Sequence, residues 1–134
     1  MSYTNTFIVV SEDTKAEKGL VPPTKATPTI AQLQFEMISR APYTYTQADL
    51  DFACYVKKKG LVFFDEAQRQ AEWQQFFAKP RACLRTSPLV KTYGWGIHYD
   101  KEGKLMIYGR ETPDYQQLSQ KEHIEKGMRV SRKK

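Results

Sequence analysis

A stretch without a single carboxylate runs from Trp73 to Tyr99 and holds Lys79, Arg81, Arg85 and Lys91. Phe76, Phe77, Tyr93, Trp95 and Tyr99 are interspersed among them. With Pro80 as the first residue of a short helix, Arg81 and Arg85 fall at i and i+4, on one helical face. Two guanidinium forks so placed grip one phosphate or carboxylate through paired, charge-assisted hydrogen bonds. Exposed amides at that helix N-terminus would add partial positive charge. Arg81, Arg85 and Lys91 are therefore the expected anion-binding residues. The competing reading is structural, with both arginines salt-bridged to acids of the neighbouring second and third helices. A nucleic-acid partner remains a possible anion, but it needs aromatics that stack outward on bases. This chain needs most of its aromatics for a core.

His98 is the second candidate. It lies in an alternating segment beside Tyr108 and Asp100, neighbours suited to general acid–base work. A lone exposed histidine is otherwise an ordinary polar surface residue. Cys83 and His98 form an incomplete nucleophile–base pair, because no third group is in view to orient the base. Cys83 reads better as a small packed hydrophobe. Two histidines and two isolated cysteines, without CxxC or HxxxH spacing, give no zinc pattern. No GxGxxG, GxxxxGK or GxSxG occurs, so no metal or cofactor is expected.

The net charge of +6 is concentrated at one end. Residues 126–134 carry Lys126, Arg129, Arg132, Lys133 and Lys134 and no acid; without these five, 16 basic residues face 15 acidic ones. Arg129, Arg132, Lys133 and Lys134 are the expected tail contacts to a phosphate-bearing partner, or else a solubilising end. No secretory leader and no run long enough to span a membrane is visible, and the cysteines have no framework spacing. A cytoplasmic protein without a membrane partner is expected.

These residues need elements to position them. At 134 residues and 40% hydrophobic composition, one domain with a modest core is expected over 1–125, followed by the basic tail 126–134. Phe7–Val10 reads as a buried strand. Residues 11–26 carry Gly19 and Pro22-Pro23 and read as a long surface loop. Thr27 and Pro28 are the expected cap and first residue of a helix bearing Ile30, Leu33, Met37 and Ile38, which Pro42 stops. Thr46 and Asp49 resemble a capping box for a second helix. Lys57-Lys58-Lys59 in its last turn and Gly60 after it fit a helix end. Asp65 with Gln68 opens a third helix, expected to run to about Ala78. Trp95, Ile97 and Tyr99, then Leu105 and Ile107, alternate around Lys101-Glu102-Gly103. This predicts a hairpin over 95–99 and 104–108, closed by Gly103 in the left-handed region. Its register places Tyr99 opposite Leu105, His98 opposite Met106, Ile97 opposite Ile107 and Gly96 opposite Tyr108. Pro113 starts a short helix to about Ser119, and 128–130 forms a short edge strand.

The order of motifs resembles an uncharacterised bacterial protein family catalogued only as a domain of unknown function. The opening SYTNTFI, VPP, the QFEM helix, PYTYTQ-D, FFAKPRACLR-SPL and YGWGIHYD-EGK carry the resemblance across nearly the whole chain. It implies no activity, cofactor or catalytic residue. The expectation from the residues is an α+β domain of about three helices on a small antiparallel sheet. Its expected function is a non-enzymatic module binding an anionic, phosphate-bearing partner. The alternative is a small enzyme with a pocket around His98 and Tyr108.

Overall fold

Strict alternation of apolar and polar residues puts one side of a strand in a core and the other side elsewhere. In the computed structural model, which describes residues 3–130, this produces a sheet covered on both faces. Strands β1 (Thr6–Val9), β2 (Trp95–Tyr99), β3 (Leu105–Gly109) and β4 (His123–Lys126) lie in the order β3-β2-β1-β4. The helices are α1 (Ile30–Arg40), α2 (Gln47–Lys59), α3 (Glu66–Phe76), α4 (Pro88–Lys91) and α5 (Pro113–Lys121), with a 3-10 turn at Leu84–Thr86.

Ile8, Ile97, Tyr99, Leu105 and Ile107 bury their side chains with Leu33 and Ile38 of α1, Leu50 of α2, and Leu89 and Val90 of α4. Phe7 points to the opposite face and meets Tyr115 of α5, with Val9, Tyr108, Leu118 and Ile124 packed alongside. The Tyr115 hydroxyl accepts from Val10 N at 3.0 Å, tying α5 to the end of β1.

The hairpin register is the expected one, residue for residue, from Gly96 opposite Tyr108 to Tyr99 opposite Leu105. Gly103 adopts φ 80° and donates to Asp100 O at 3.0 Å. The helix ends are likewise local. Thr46 and Asp49 form the reciprocal capping box, Gly60 is left-handed at φ 66°, and Asp65 accepts from Gln68 N. α1 begins later than expected, with Thr29 rather than Thr27 as its cap. The Thr29 hydroxyl accepts from Gln32 N, which leaves Pro28 outside the helix with its carbonyl accepting from Lys58.

The α+β class stands, with two corrections to its count and pairing. Among the described residues there are five helices rather than about three: the short helix expected from Pro113 forms, and Ser87-Pro88 starts one that was not expected. The sheet is mixed rather than antiparallel. β1 is central, with antiparallel β2 on one side and parallel β4 on the other. α5 crosses the second face and delivers Ile124 to the Phe7–Tyr115 cluster, so the strand after it runs parallel to β1. The edge strand expected at 128–130 lies instead at His123–Lys126.

Both sheet edges are occupied. The link between α1 and α2 follows β3, where Tyr43 N donates to Leu105 O and Leu105 N donates to Tyr45 O. On β4, the Arg85 Nε donates to Lys126 O at 2.5 Å, and Met128 N donates to Arg85 O at 2.7 Å. The loop over 11–26 has no helix or strand but is anchored to the sheet. Leu20 N donates to Tyr93 O, and the Trp95 indole donates to Leu20 O, both at 2.8 Å. Arg110 donates to Ala16 O at 2.9 Å.

Candidate functional site

The expected helix starting at Pro80 does not form: residues 80–83 are irregular, and the first turn after them is the 3-10 turn at Leu84–Thr86. Arg81 and Arg85 therefore do not share a helical face, and they line different concavities. Lys91 lies half-buried in the last turn of α4 and lines neither. Neither arginine makes the carboxylate salt bridge that the structural reading required; both donate to main-chain carbonyls.

Arg81 is held in a particular way. Its Nε and Nη2 donate to Phe76 O at 2.9 and 2.6 Å, satisfying a carbonyl at the C-terminal end of α3. The guanidinium stacks on the Phe76 ring, with Cζ 3.7 Å from the centroid. These bonds use the Nε–Nη2 edge of the fork, and among the described residues Nη1 has no hydrogen-bond partner. The concavity beside it, about 490 Å³, is lined by Ile30, Tyr55 and Phe76 as apolar wall and by Lys58, Lys59 and Arg81 as cations. Asp51 is the one carboxylate among its described lining residues. Burial pushes the Asp51 carboxyl up to about 6, against the pull of the Arg81 charge. Cys54, also in the wall, is pushed up to about 12, mainly by burial, so its thiol stays protonated.

The second polar centre surrounds His98, which is buried on the α5 side of the sheet. Its Nε2 lies 2.7 Å from Glu122 Oε1, and its Nδ1 lies 2.8 Å from the Tyr43 hydroxyl. Tyr43 Oη lies 2.8 Å from Tyr108 Oη. Glu122 fixes one end of this chain of side chains, and the Tyr43 hydroxyl bridges His98 and Tyr108. Burial and the bond to Tyr108 push the Tyr43 phenol upward, which keeps it protonated. Tyr43 occupies φ 54°, a left-handed conformation costly for a bulky residue. Its backbone bond to Leu105 and its two hydroxyl bonds hold it there. The pairing of Cys83 with His98 is not made, since both ring nitrogens are taken.

The basic tail is partly built into the fold. Gly127 N donates to Val9 O at 2.9 Å, the Ser11 hydroxyl donates to Met128 O, and Arg129 pairs with Glu12. Arg132, Lys133 and Lys134 lie outside the described residues. Among the described residues, no group of three or more His, Cys, Asp or Glu is placed to hold a metal ion. No helix there is long and apolar enough to cross a membrane.

Asp51, Lys58 and Lys59 line the concavity beside Arg81 and are not among the expected anion-binding residues, the place of the lysines in the last turn of α2 being explanation enough for their charge. Asp51, Cys54, Tyr55 and Lys58 repeat at intervals of three and four, so a helical projection of α2 places them on one face. Glu122 also left a trace, because a carboxylate at a helix C-terminus opposes the dipole and needs a partner elsewhere. Tyr43 left none.

Residues 1–133 match the family model of a family of unknown function, DUF6157, as the resemblance implied, and the chain belongs to that family. No curated protein and no solved structure matches the chain.

Proposed function

We propose that this member of a family of unknown function is a non-enzymatic binding module for a small organic anion bearing a phosphate or carboxylate group. The ligand's apolar body lies against Tyr55 and Phe76, and its anionic group meets Arg81, assisted by Lys58 and Lys59. The observation that carries this reading is the state of Arg81. Its fork is fixed in advance by the Phe76 carbonyl and ring, and the residue lines an open concavity. A pre-oriented fork loses less entropy on binding than a free side chain. Arg85 and Lys91, first grouped with Arg81, fall outside this site. The alternative of an enzyme around His98 and Tyr108 has less support, because protein partners already occupy both His98 nitrogens.

Calorimetric titration with phenyl phosphate and benzoate tests the proposal. Arg81→Lys keeps the charge but loses the planar fork, and is expected to weaken binding by about fivefold to tenfold in a site open to water. Equal affinity in wild type and variant would remove Arg81 from the site.

A further inference from the structure

The concavity lined by Arg85 is separate from the Arg81 site and is built around the start of the basic tail. Its volume is about 590 Å³, and it is lined by Arg85 from the 3-10 turn and by Lys126 and Arg129 from the end of β4 and the chain after it. The backbone there is fixed. A Cβ on Gly127 would run into Val90 and lie 2.9 Å from the Ser11 hydroxyl, so the main chain packs closer than another residue permits. Arg85 braces Lys126 and Met128 from the other side. The lining includes no aromatic side chain, and Glu12 is the one carboxylate among its described members. Glu12 pairs with Arg129; neighbouring Asp13 accepts from Val130 N at 2.8 Å through Oδ1, and its Oδ2 lies 4.0 Å from Arg129 Nη2. Arg132, Lys133 and Lys134 continue the positive charge in sequence.

We propose that this concavity is a second anion site, for the phosphate backbone of a nucleic acid, and that Glu12 occupies it as an internal competitor. Three cations around one concavity, with no aromatic among its described lining residues, suit the charge of a phosphate backbone and give no means of stacking on bases. Arg129 is already engaged by Glu12, with Asp13 4.0 Å from its other Nη, so an incoming phosphate must displace Glu12 and share Arg129 with Asp13. The resting fold therefore binds more weakly than its cations alone would allow. This inference does not depend on the Arg81 reading.

The test uses the full chain and the fluorescence anisotropy of a labelled oligothymidylate across a range of salt concentrations. Glu12→Gln removes the competitor's charge and is expected to tighten binding by about twofold to fivefold, the scale of an exposed ion pair. Arg85→Gln and Arg129→Gln are expected to weaken it, each lowering the slope of log K against log salt by about 0.7. Arg85→Lys is expected to keep that slope, which separates lost charge from a disturbed fold. Arg81→Gln is expected to change nothing here, so failure of one site is distinguishable from failure of the other. An unchanged or weakened Glu12→Gln protein would overturn the proposal, as would absence of binding by wild type. Loss of binding only in the triple variant Arg132→Gln, Lys133→Gln, Lys134→Gln would assign the affinity to loose tail charge instead. Polyglutamate bound as tightly, with the same response to each variant, would replace the nucleic acid with an acidic protein.

Discussion

His98 and Arg81 each hold two bonds to the protein, but they leave different remainders. His98 uses both ring nitrogens, one on Glu122 and one on Tyr43, and Tyr108 completes the chain. Arg81 uses one edge of its fork on the Phe76 carbonyl and lines a concavity. A buried polar group that is satisfied within the protein adds to the fold's specificity; its removal strands its partners at a cost of roughly 1–3 kcal/mol each. An exposed cation with spare donors contributes little to the fold and can exchange water for a ligand. The comparison teaches that the histidine weighed as a catalytic candidate is bonded within the fold at both nitrogens, whereas the arginine of the proposed site is anchored by a carbonyl and lines a concavity.

The largest effect is expected from His98→Ala. It leaves Glu122 and Tyr43 facing a void on the sheet, and urea unfolding should show a loss of roughly 2–4 kcal/mol. A loss below about 1 kcal/mol would show that the chain is not a structural tie and reopen a catalytic reading. Gly103→Val comes next. Gly103 sits at φ 80° in the turn that holds His98 opposite Met106 and Tyr108 opposite Gly96. A β-branched residue there should cost roughly 1–2 kcal/mol in the same measurement, and no loss would remove the left-handed turn from the account.

The smallest effect appears only against pH. Burial raises the Asp51 carboxyl from 3.8 to about 6, so the folded chain holds this proton more tightly than the unfolded chain does. Between those values the native state binds more protons, and stability falls as pH rises through the window. Asp51→Asn should remove that part of the fall in melting temperature between about pH 4 and 6. Above pH 6 the same substitution should tighten phenyl phosphate binding, because it removes a negative charge from beside Arg81. A variant with the wild-type pH profile in both measurements would place Asp51 outside the site.

The parts of the fold legible in the sequence are those whose causes are local. Gly103, Thr46 with Asp49, Asp65 with Gln68, and Gly60 each act within a few residues, and each does what its type predicts. The partners of β4 and of the His98 chain are distant in sequence. Nothing near residue 123 announces a parallel strand, and nothing near Tyr43 announces a histidine at position 98. The proposed anion site is half legible: Arg81 stands out by charge, but its expected partner Arg85 depends on a helix that residues 80–83 do not form. Asp51, Lys58 and Lys59 were readable on the face of α2, yet the capping role of the lysines offered a sufficient local explanation.

The place of β1 in the sheet also sets an order in time. Thr6–Val9 lies between β2 and β4, and both partners come from the last third of the chain. As the chain emerges from the ribosome, α1, α2 and α3 can form by local contacts, while β1 has no strand to pair with until the hairpin and then residues 123–126 have been made. The sheet therefore closes last, through contacts of high sequence separation, which slow folding. Until then Phe7 and Ile8, both fully buried in the finished protein, remain uncovered and depend on synthesis outpacing aggregation.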